Sequence, residues 1–168
     1  MTTLSYIEHD RFVGQVRALA KLIGADGWKP DFILGIGRGG LVPAVFLSHA
    51  TTIPLLSVDH STQVAPFGDE LLAQIARQTA NGTHILIVDD INDSGRTIAY
   101  LRKAIAEGGD IANLRVAVLI DNIRSIQTVD YRAETIDRDQ DQSWFVFPWE
   151  AMAPGEDTLV AAAEAHNG

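Results

Sequence analysis

Apolar residues recur along this chain at two spacings, and the alternation between them predicts a fold class before any single residue is considered. Phe12, Val13, Val16, Leu19, Ala20 and Ile23 fall at helical intervals, and Gly24, Gly27 and Pro30 end that pattern. The run Phe32-Ile33-Leu34-Gly35-Ile36 is short and almost wholly apolar, as a strand buried on both faces of a parallel sheet must be. Residues 41–50 predict a helix with Pro43 in its first turn, where a missing N–H is tolerated, and residues 53–58 a second strand. Residues 59–69 are polar, hold Pro66 and Gly68, and show no period, which predicts a mobile loop before a short helix over 71–77. Further buried strands are predicted at 84–88 and 114–120. Between them Ile98, Leu101, Arg102 and Ile105 mark a helix that the Gly108-Gly109 turn closes. Beyond Asp121 the pattern loosens into short pieces at 131–136 and 144–147, then a C-terminal helix over 158–165. Strand, helix and strand in alternation predict an α/β fold with a mainly parallel central sheet flanked by helices. Ligands of such sheets bind at the carboxyl ends of the strands.

Composition narrows the function classes. A chain of 168 residues suits one domain, 1–168, and is too short for two ordinary ones. No apolar stretch approaches the roughly eighteen residues of a membrane helix, and the start lacks the basic and apolar regions of a signal peptide. A cytoplasmic, membrane-independent protein is therefore expected. There is no cysteine, so disulfides and thiolate sites are excluded. The net charge of −9 counts against nucleic acid as a partner, because that binding rests on cations neutralising phosphates. An acidic protein that handles a small polyanion needs a metal or a local cation pocket to reverse the field.

The run Val88-Asp89-Asp90-Ile91-Asn92-Asp93-Ser94-Gly95-Arg96-Thr97 carries such chemistry. It joins the end of an apolar strand to a cluster of acids and then to small polar residues at a helix start, where unpaired backbone N–H groups can wrap a phosphate. Arg96 adds a cation. The order suits a sugar phosphate handled together with a divalent metal.

The same ten residues resemble the 5-phosphoribosyl 1-pyrophosphate (PRPP) signature of the type I phosphoribosyltransferases. That resemblance implies that Asp89 and Asp90 face the ribose hydroxyls and the magnesium shell, while Asp93, Ser94, Gly95, Arg96 and Thr97 hold the 5′-phosphate. Gly37, Arg38, Gly39 and Gly40 look like the family's pyrophosphate loop, where glycines let backbone amides approach the leaving group. Trp144-Phe145-Val146-Phe147-Pro148-Trp149-Glu150 resembles the purine-binding segment of the 6-oxopurine branch, with its W-x-x-x-P-W-[DE] pattern. Trp144 would then stack on the base, the main chain at Phe145 would meet its edge, and Glu150 would help to hold a second Mg2+. By the same resemblance Asp93 would be the catalytic base near purine N7. Asn122 stands where the family usually has a lysine for the 6-oxo group, so the preference among xanthine, guanine, hypoxanthine and adenine stays open. The family also implies a small hood built partly from about 121–150, a loop over 59–69 that covers the site, and a homo-oligomer, dimer or tetramer.

Other readings compete. Gly35-Ile36-Gly37-Arg38-Gly39-Gly40 is formally a G-x-G-x-x-G after a strand, with Asp59 near the distance of a ribose-binding acid, as in a dinucleotide-binding enzyme. That reading leaves the run from Asp89 to Thr97 without a role. A PRPP-sensing regulator without turnover would keep the same ligand site. Trp149 can equally be core packing. No G-x-x-x-x-G-K-[ST] exists to support an NTPase. Asp137, Asp139 and Asp141 imitate a calcium loop, but Gln142 and Pro148 stand at its glycine and closing-acid positions, so a solvated acidic loop is expected. The five histidines lack metal-ligand spacing.

Overall fold

The computed structural model describes residues 3–58 and 65–153. Five parallel strands form the central sheet in the order β3-β2-β4-β5-β6, comprising β2 (Phe32–Ile36), β3 (Leu55–Val58), β4 (Ile85–Asn92), β5 (Leu114–Asn122) and β6 (Tyr131–Ile136). Strand residues alternate between the two faces. Leu86 and Val88 of β4, with Ala117 and Leu119 of β5, pack under α1 (His9–Ala25) and α2 (Gly37–Thr51). Ile85 and Ile87, with Val116 and Val118, meet α3 (Ala65–Ala80) and α4 (Arg96–Ala106). Burial on both faces is why these strands read as unbroken apolar runs.

Strand order reverses between β2 and β4, since the chain leaves β2 for the edge strand β3 and then returns past it to β4. After β2 and β4 the chain passes to helices on opposite faces of the sheet, and such a switch point is the usual ligand site of an open parallel sheet. Residues 37–40 and 89–97 are the two segments that meet at this point.

Several elements differ from their predicted extents. Helix α2 begins at Gly37, not near residue 41, so the glycine run forms its first turn and Pro43 lies inside the helix. Gly37 has φ +56°, a left-handed value that favours glycine and lets the chain turn from β2 directly into α2. Helix α3 begins at Ala65, so the expected loop does not extend through 65–69; Pro66 falls in the first helical turn, where its lost donor is tolerated. The remainder of that loop, residues 59–64 with Asp59, and the expected C-terminal helix over 158–165 lie outside the described residues. Strand β4 runs on through Asp89 and Asp90, because β5 continues beside it to pair Asp89 with Val118 and Asn92 with Asp121.

The chain also forms a second, two-stranded sheet. Strand β1 (Leu4–Tyr6) pairs in parallel with β7 (Trp144–Val146), Leu4 opposite Trp144. This small sheet thus joins two segments far apart in sequence. Trp149 anchors it, stacked on Phe147 at 4.9 Å between ring centroids and set edge-on to Phe12 of α1 at 5.3 Å. Trp149 is core packing.

Candidate active site

Two backbones approach each other closely where β4 ends. A Cβ on Gly40 would lie 3.0 Å from the Cα of Asp89 and closer still to the carbonyl of Val88, and one on Gly39 would overlap the Asp90 carboxylate. Only glycine fits at position 40, where the atoms met are backbone, whereas at position 39 a Cβ would push the Asp90 side chain aside. The exposed side chain of Arg38 extends from the same turn, close enough to Glu150 to influence its charge.

Acids crowd this point. Asp89 accepts from the Asp90 amide at 3.0 Å and Asp90 from the Ile91 amide at 2.8 Å, which fixes both carboxylates across the strand end. Burial, reinforced by the charge of Asp90, pushes Asp89 well above the usual carboxylate range. Burial and the charge of Glu150 push Asp90 up to about 6. Glu150 is itself raised by burial, opposed by a hydrogen bond from the Phe147 amide and by Arg38.

These raised values make stability depend on pH. The Asp90 carboxyl has an ordinary value of 3.8 in an unfolded chain and about 6 in the fold. Between those values the folded protein binds a proton that the unfolded chain does not, so stability rises as pH falls through about 6 and is lowest where the carboxylate is charged. Asp89 acts in the same direction. Glu134 and Asp137, held low by Arg11 and Arg124, oppose this only as the pH drops below their ordinary values of 4.5 and 3.8. The melting temperature should therefore increase from pH 7.5 to pH 5.5, and Asp90→Asn should raise it at pH 7.5 by an amount equivalent to about 1–2 kcal/mol. A lower melting temperature for Asp90→Asn at pH 7.5 would contradict the assignment.

After β4 the chain turns through Asp93, Ser94 and Gly95 into α4. Gly95 has φ +84° and sits against the loop after β5, where a Cβ would come within 2.6 Å of Ser125 Oγ. That loop buttresses the turn from below: the Ile126 amide donates to the Ser94 carbonyl at 3.3 Å, and Ser125 Oγ donates to buried Asn92 at 2.9 Å. Within the turn the Arg96 amide donates to Ser94 Oγ at 3.4 Å.

Asn122, at the end of β5, is 6% exposed. Its Nδ2 donates to the Asp93 carbonyl at 3.1 Å and to the Asp93 carboxylate at 3.3 Å, while its Oδ1 accepts from the amides of Arg124 and Arg138. Both ends of the amide are engaged inside the protein. Asn122 thereby links the end of β5 to Asp93 and to the loop after β6.

The residue that the sequence reading missed is Arg138. Its guanidinium grips Asp93 with two bonds, Nε to Oδ1 at 2.9 Å and Nη2 to Oδ2 at 2.8 Å. Its Nη1 reaches the carbonyls of Asp141 and Ser143, and the group lies 5.3 Å over the Phe145 ring. The 137–143 segment is not simply a solvated acidic loop: Asp137 pairs with Arg124 at 3.0 Å, and Asp141 caps Ser143. A lone cation in the run Asp137-Arg138-Asp139-Gln140-Asp141-Gln142 was the available signal.

The model of the phosphoribosyl transferase domain matches residues 4–153. This chain belongs to the phosphoribosyltransferase family. It is 30% identical over 156 residues to the xanthine-guanine phosphoribosyltransferase of Cereibacter sphaeroides, covering 86% of each chain. The crystal structure of a purine phosphoribosyltransferase from Pyrococcus horikoshii is similar with a TM-score of 0.63 and 27% identity, over 88% of this chain and 94% of that one. A Neisseria gonorrhoeae protein crystallised with bound ppGpp shares the fold at a TM-score of 0.69 and 22% identity, over 98% of both. Membership sets the dinucleotide reading aside. Within this member Gly39 and Gly40 lie against Val88, Asp89 and Asp90, Glu150 is close enough to Asp90 to raise it, and Trp144 is half-buried on β7.

Proposed function

We propose that this phosphoribosyltransferase condenses PRPP with a 6-oxopurine, xanthine, guanine or hypoxanthine, to give a nucleoside 5′-monophosphate and pyrophosphate. The observation that carries the reading is the meeting of residues 37–40 with Asp89 and Asp90 at the switch point of the sheet, one turn away from the amides of residues 93–97. The 5′-phosphate would lie on the Ser94, Gly95, Arg96 and Thr97 amides, the ribose hydroxyls against Asp89 and Asp90, and the pyrophosphate on Gly37, Arg38, Gly39 and Gly40. Trp144 would cover one face of the purine, and the Phe145 main chain would meet its edge. The C1–O bond to pyrophosphate breaks as N9 of the base bonds to C1. Asp93 accepts the proton released from the imidazole ring. Its fork with Arg138 fixes the carboxylate for that transfer, since two bonds define its plane.

Magnesium is part of the proposal. Asp89, Asp90 and Glu150 offer only carboxylate oxygens, the donor type this ion takes. Among the described residues no three of His, Cys, Asp or Glu are grouped to hold a metal by themselves, which suits an ion that takes one or two carboxylates and completes its shell with substrate oxygens. Bound with PRPP, it would offset the charge developing on the departing pyrophosphate. A cytoplasmic homo-oligomer goes with the same reading; among the described residues, Ile123 and Ile126 leave apolar side chains exposed beside the site.

Turnover of PRPP with each of hypoxanthine, guanine, xanthine and adenine tests the proposal. Mononucleotide and pyrophosphate should form in equal amounts with at least one 6-oxopurine, and chelation of magnesium should abolish the reaction. Binding of PRPP without turnover of any base would favour a sensor instead.

A further inference from the structure

We propose that Asn92 is a positioning residue for the donor substrate: its buried amide locks the loop after β5 against Ser94 and Gly95, and so sets the affinity for a sugar 5′-phosphate without touching it. The inference rests on the function proposed above, in which residues 94–97 hold that phosphate. Asn92 is the last residue of β4 and is 2% exposed. An amide side chain offers two N–H groups and one oxygen, and here all of them are engaged. Nδ2 donates to Asp121 Oδ1 and to the Gln127 carbonyl, each at 2.8 Å, while Oδ1 accepts from Ser125 Oγ at 2.9 Å.

The loop held in this way is what the turn after β4 rests on. The Ile126 amide donates to the Ser94 carbonyl, and Gly95 packs so closely on residues 125–127 that an added Cβ would lie 2.9 Å or less from Ser125 Oγ, the Gln127 nitrogen and Ile126 Cγ1. From the other side Arg102 of α4 donates to Gln127 Oε1 at 2.8 Å, so the loop is clamped between the strand before the turn and the helix after it. Asn92 is the buried end of that clamp. Asp93 has separate supports in Asn122 and Arg138, so a change at position 92 reaches residues 94–97 before it reaches the proton acceptor. The amide is specific to its place: an aspartate at 92 would set a carboxylate against both Asp121 and the Gln127 carbonyl, acceptor against acceptor.

Ribose 5-phosphate and inorganic pyrophosphate carry the two ends of PRPP separately, so titration calorimetry with each, in magnesium buffer, reads the two halves of the donor site apart. Asn92→Asp should weaken ribose 5-phosphate binding roughly 10- to 100-fold and Ser125→Ala, which removes a single bond to Asn92, roughly 3- to 10-fold, with pyrophosphate changed less than about twofold in both. Ser125→Thr keeps the hydroxyl and should restore most of the loss. In steady state Ser125→Ala should raise the KM for PRPP while kcat at saturating PRPP stays within about threefold, because Asp93 keeps its own supports. Equal weakening of pyrophosphate, unchanged ribose 5-phosphate binding, or a fall in kcat with KM unaltered would overturn the assignment and leave Asn92 as a residue of the fold alone. If Asn92→Asp does not fold, the two Ser125 variants decide. If the unaltered protein binds neither PRPP nor ribose 5-phosphate, the proposed function itself fails.

Discussion

Asp93→Asn should lower turnover by roughly 10²–10⁴-fold while PRPP affinity stays within a few-fold of the unaltered protein. Asparagine matches aspartate in shape but cannot take up a proton, so the reaction loses its base. The amides of residues 94–97 are positioned by Gly95 and by the loop after β5, and the Ile126 amide to Ser94 carbonyl bond does not involve the Asp93 side chain. The 5′-phosphate site therefore survives the substitution. Asn122 and Arg138 each lose the charge of their common acceptor, and an amide oxygen still accepts from one of them. Steady-state rates at saturating base and PRPP, with PRPP binding measured separately, distinguish the outcomes. Near-normal turnover removes Asp93 from proton transfer, and a collapse of PRPP binding makes it a structural residue.

Gly40→Ala should lower stability by about 2–3 kcal/mol, a substantial part of a total that is typically 5–15 kcal/mol. The added methyl would meet the carbonyl of Val88 and the Cα of Asp89, both main-chain atoms of the central strand, so no side-chain rotation can relieve the overlap. Either α2 moves away from the sheet or β4 shifts, and both movements separate the two halves of the ligand crevice. Gly14→Ala supplies the contrast: Gly14 is exposed on α1 with nothing within 4 Å of the added Cβ, and alanine there should stabilise the helix by about 0.5–1 kcal/mol. Denaturant melts of the two variants should move in opposite directions. Equal stability for Gly40→Ala and the unaltered protein would show that the contact between α2 and β4 is not a tight one.

Much of this architecture was legible because burial on both sheet faces leaves a plain mark on the sequence. Runs such as Ile85-Leu86-Ile87-Val88 and Val116-Ala117-Val118-Leu119 can hardly be anything but interior strands. Strand ends were harder to place. Asp89 and Asp90 are polar, and only the parallel partner beside them, absent from local sequence, keeps them in extended pairing. Strand β1 escaped notice because Leu4, Ser5 and Tyr6 form too short a segment to show a period, and their partner lies at the far end of the chain. Helix α2 was read as starting late because glycines usually argue against helix; here close approach to β4 demands them.

The site was legible to the extent that its chemistry is contiguous. Asp89 through Thr97 form one uninterrupted phrase, and the structure turns it around a single strand end. Asn122 and Arg138 act through folding alone. The first reaches Asp93 from a neighbouring strand and the second from the loop after β6, so neither role is written in the residues beside it. An arginine flanked by aspartates invites the reading of a solvated patch, and only the three-dimensional path shows that its counter-ion is elsewhere.

The pairing of Leu4 with Trp144 has a consequence for how the protein comes into being. Leu4 and Trp144 are far apart in sequence and β2 to β6 lie between them, so the central sheet can assemble before β1 closes on β7. The contact of β1 with β7 is thus a late one to form, and a change ahead of Leu4 would be felt beside Trp144 before it was felt at Asp89 and Asp90.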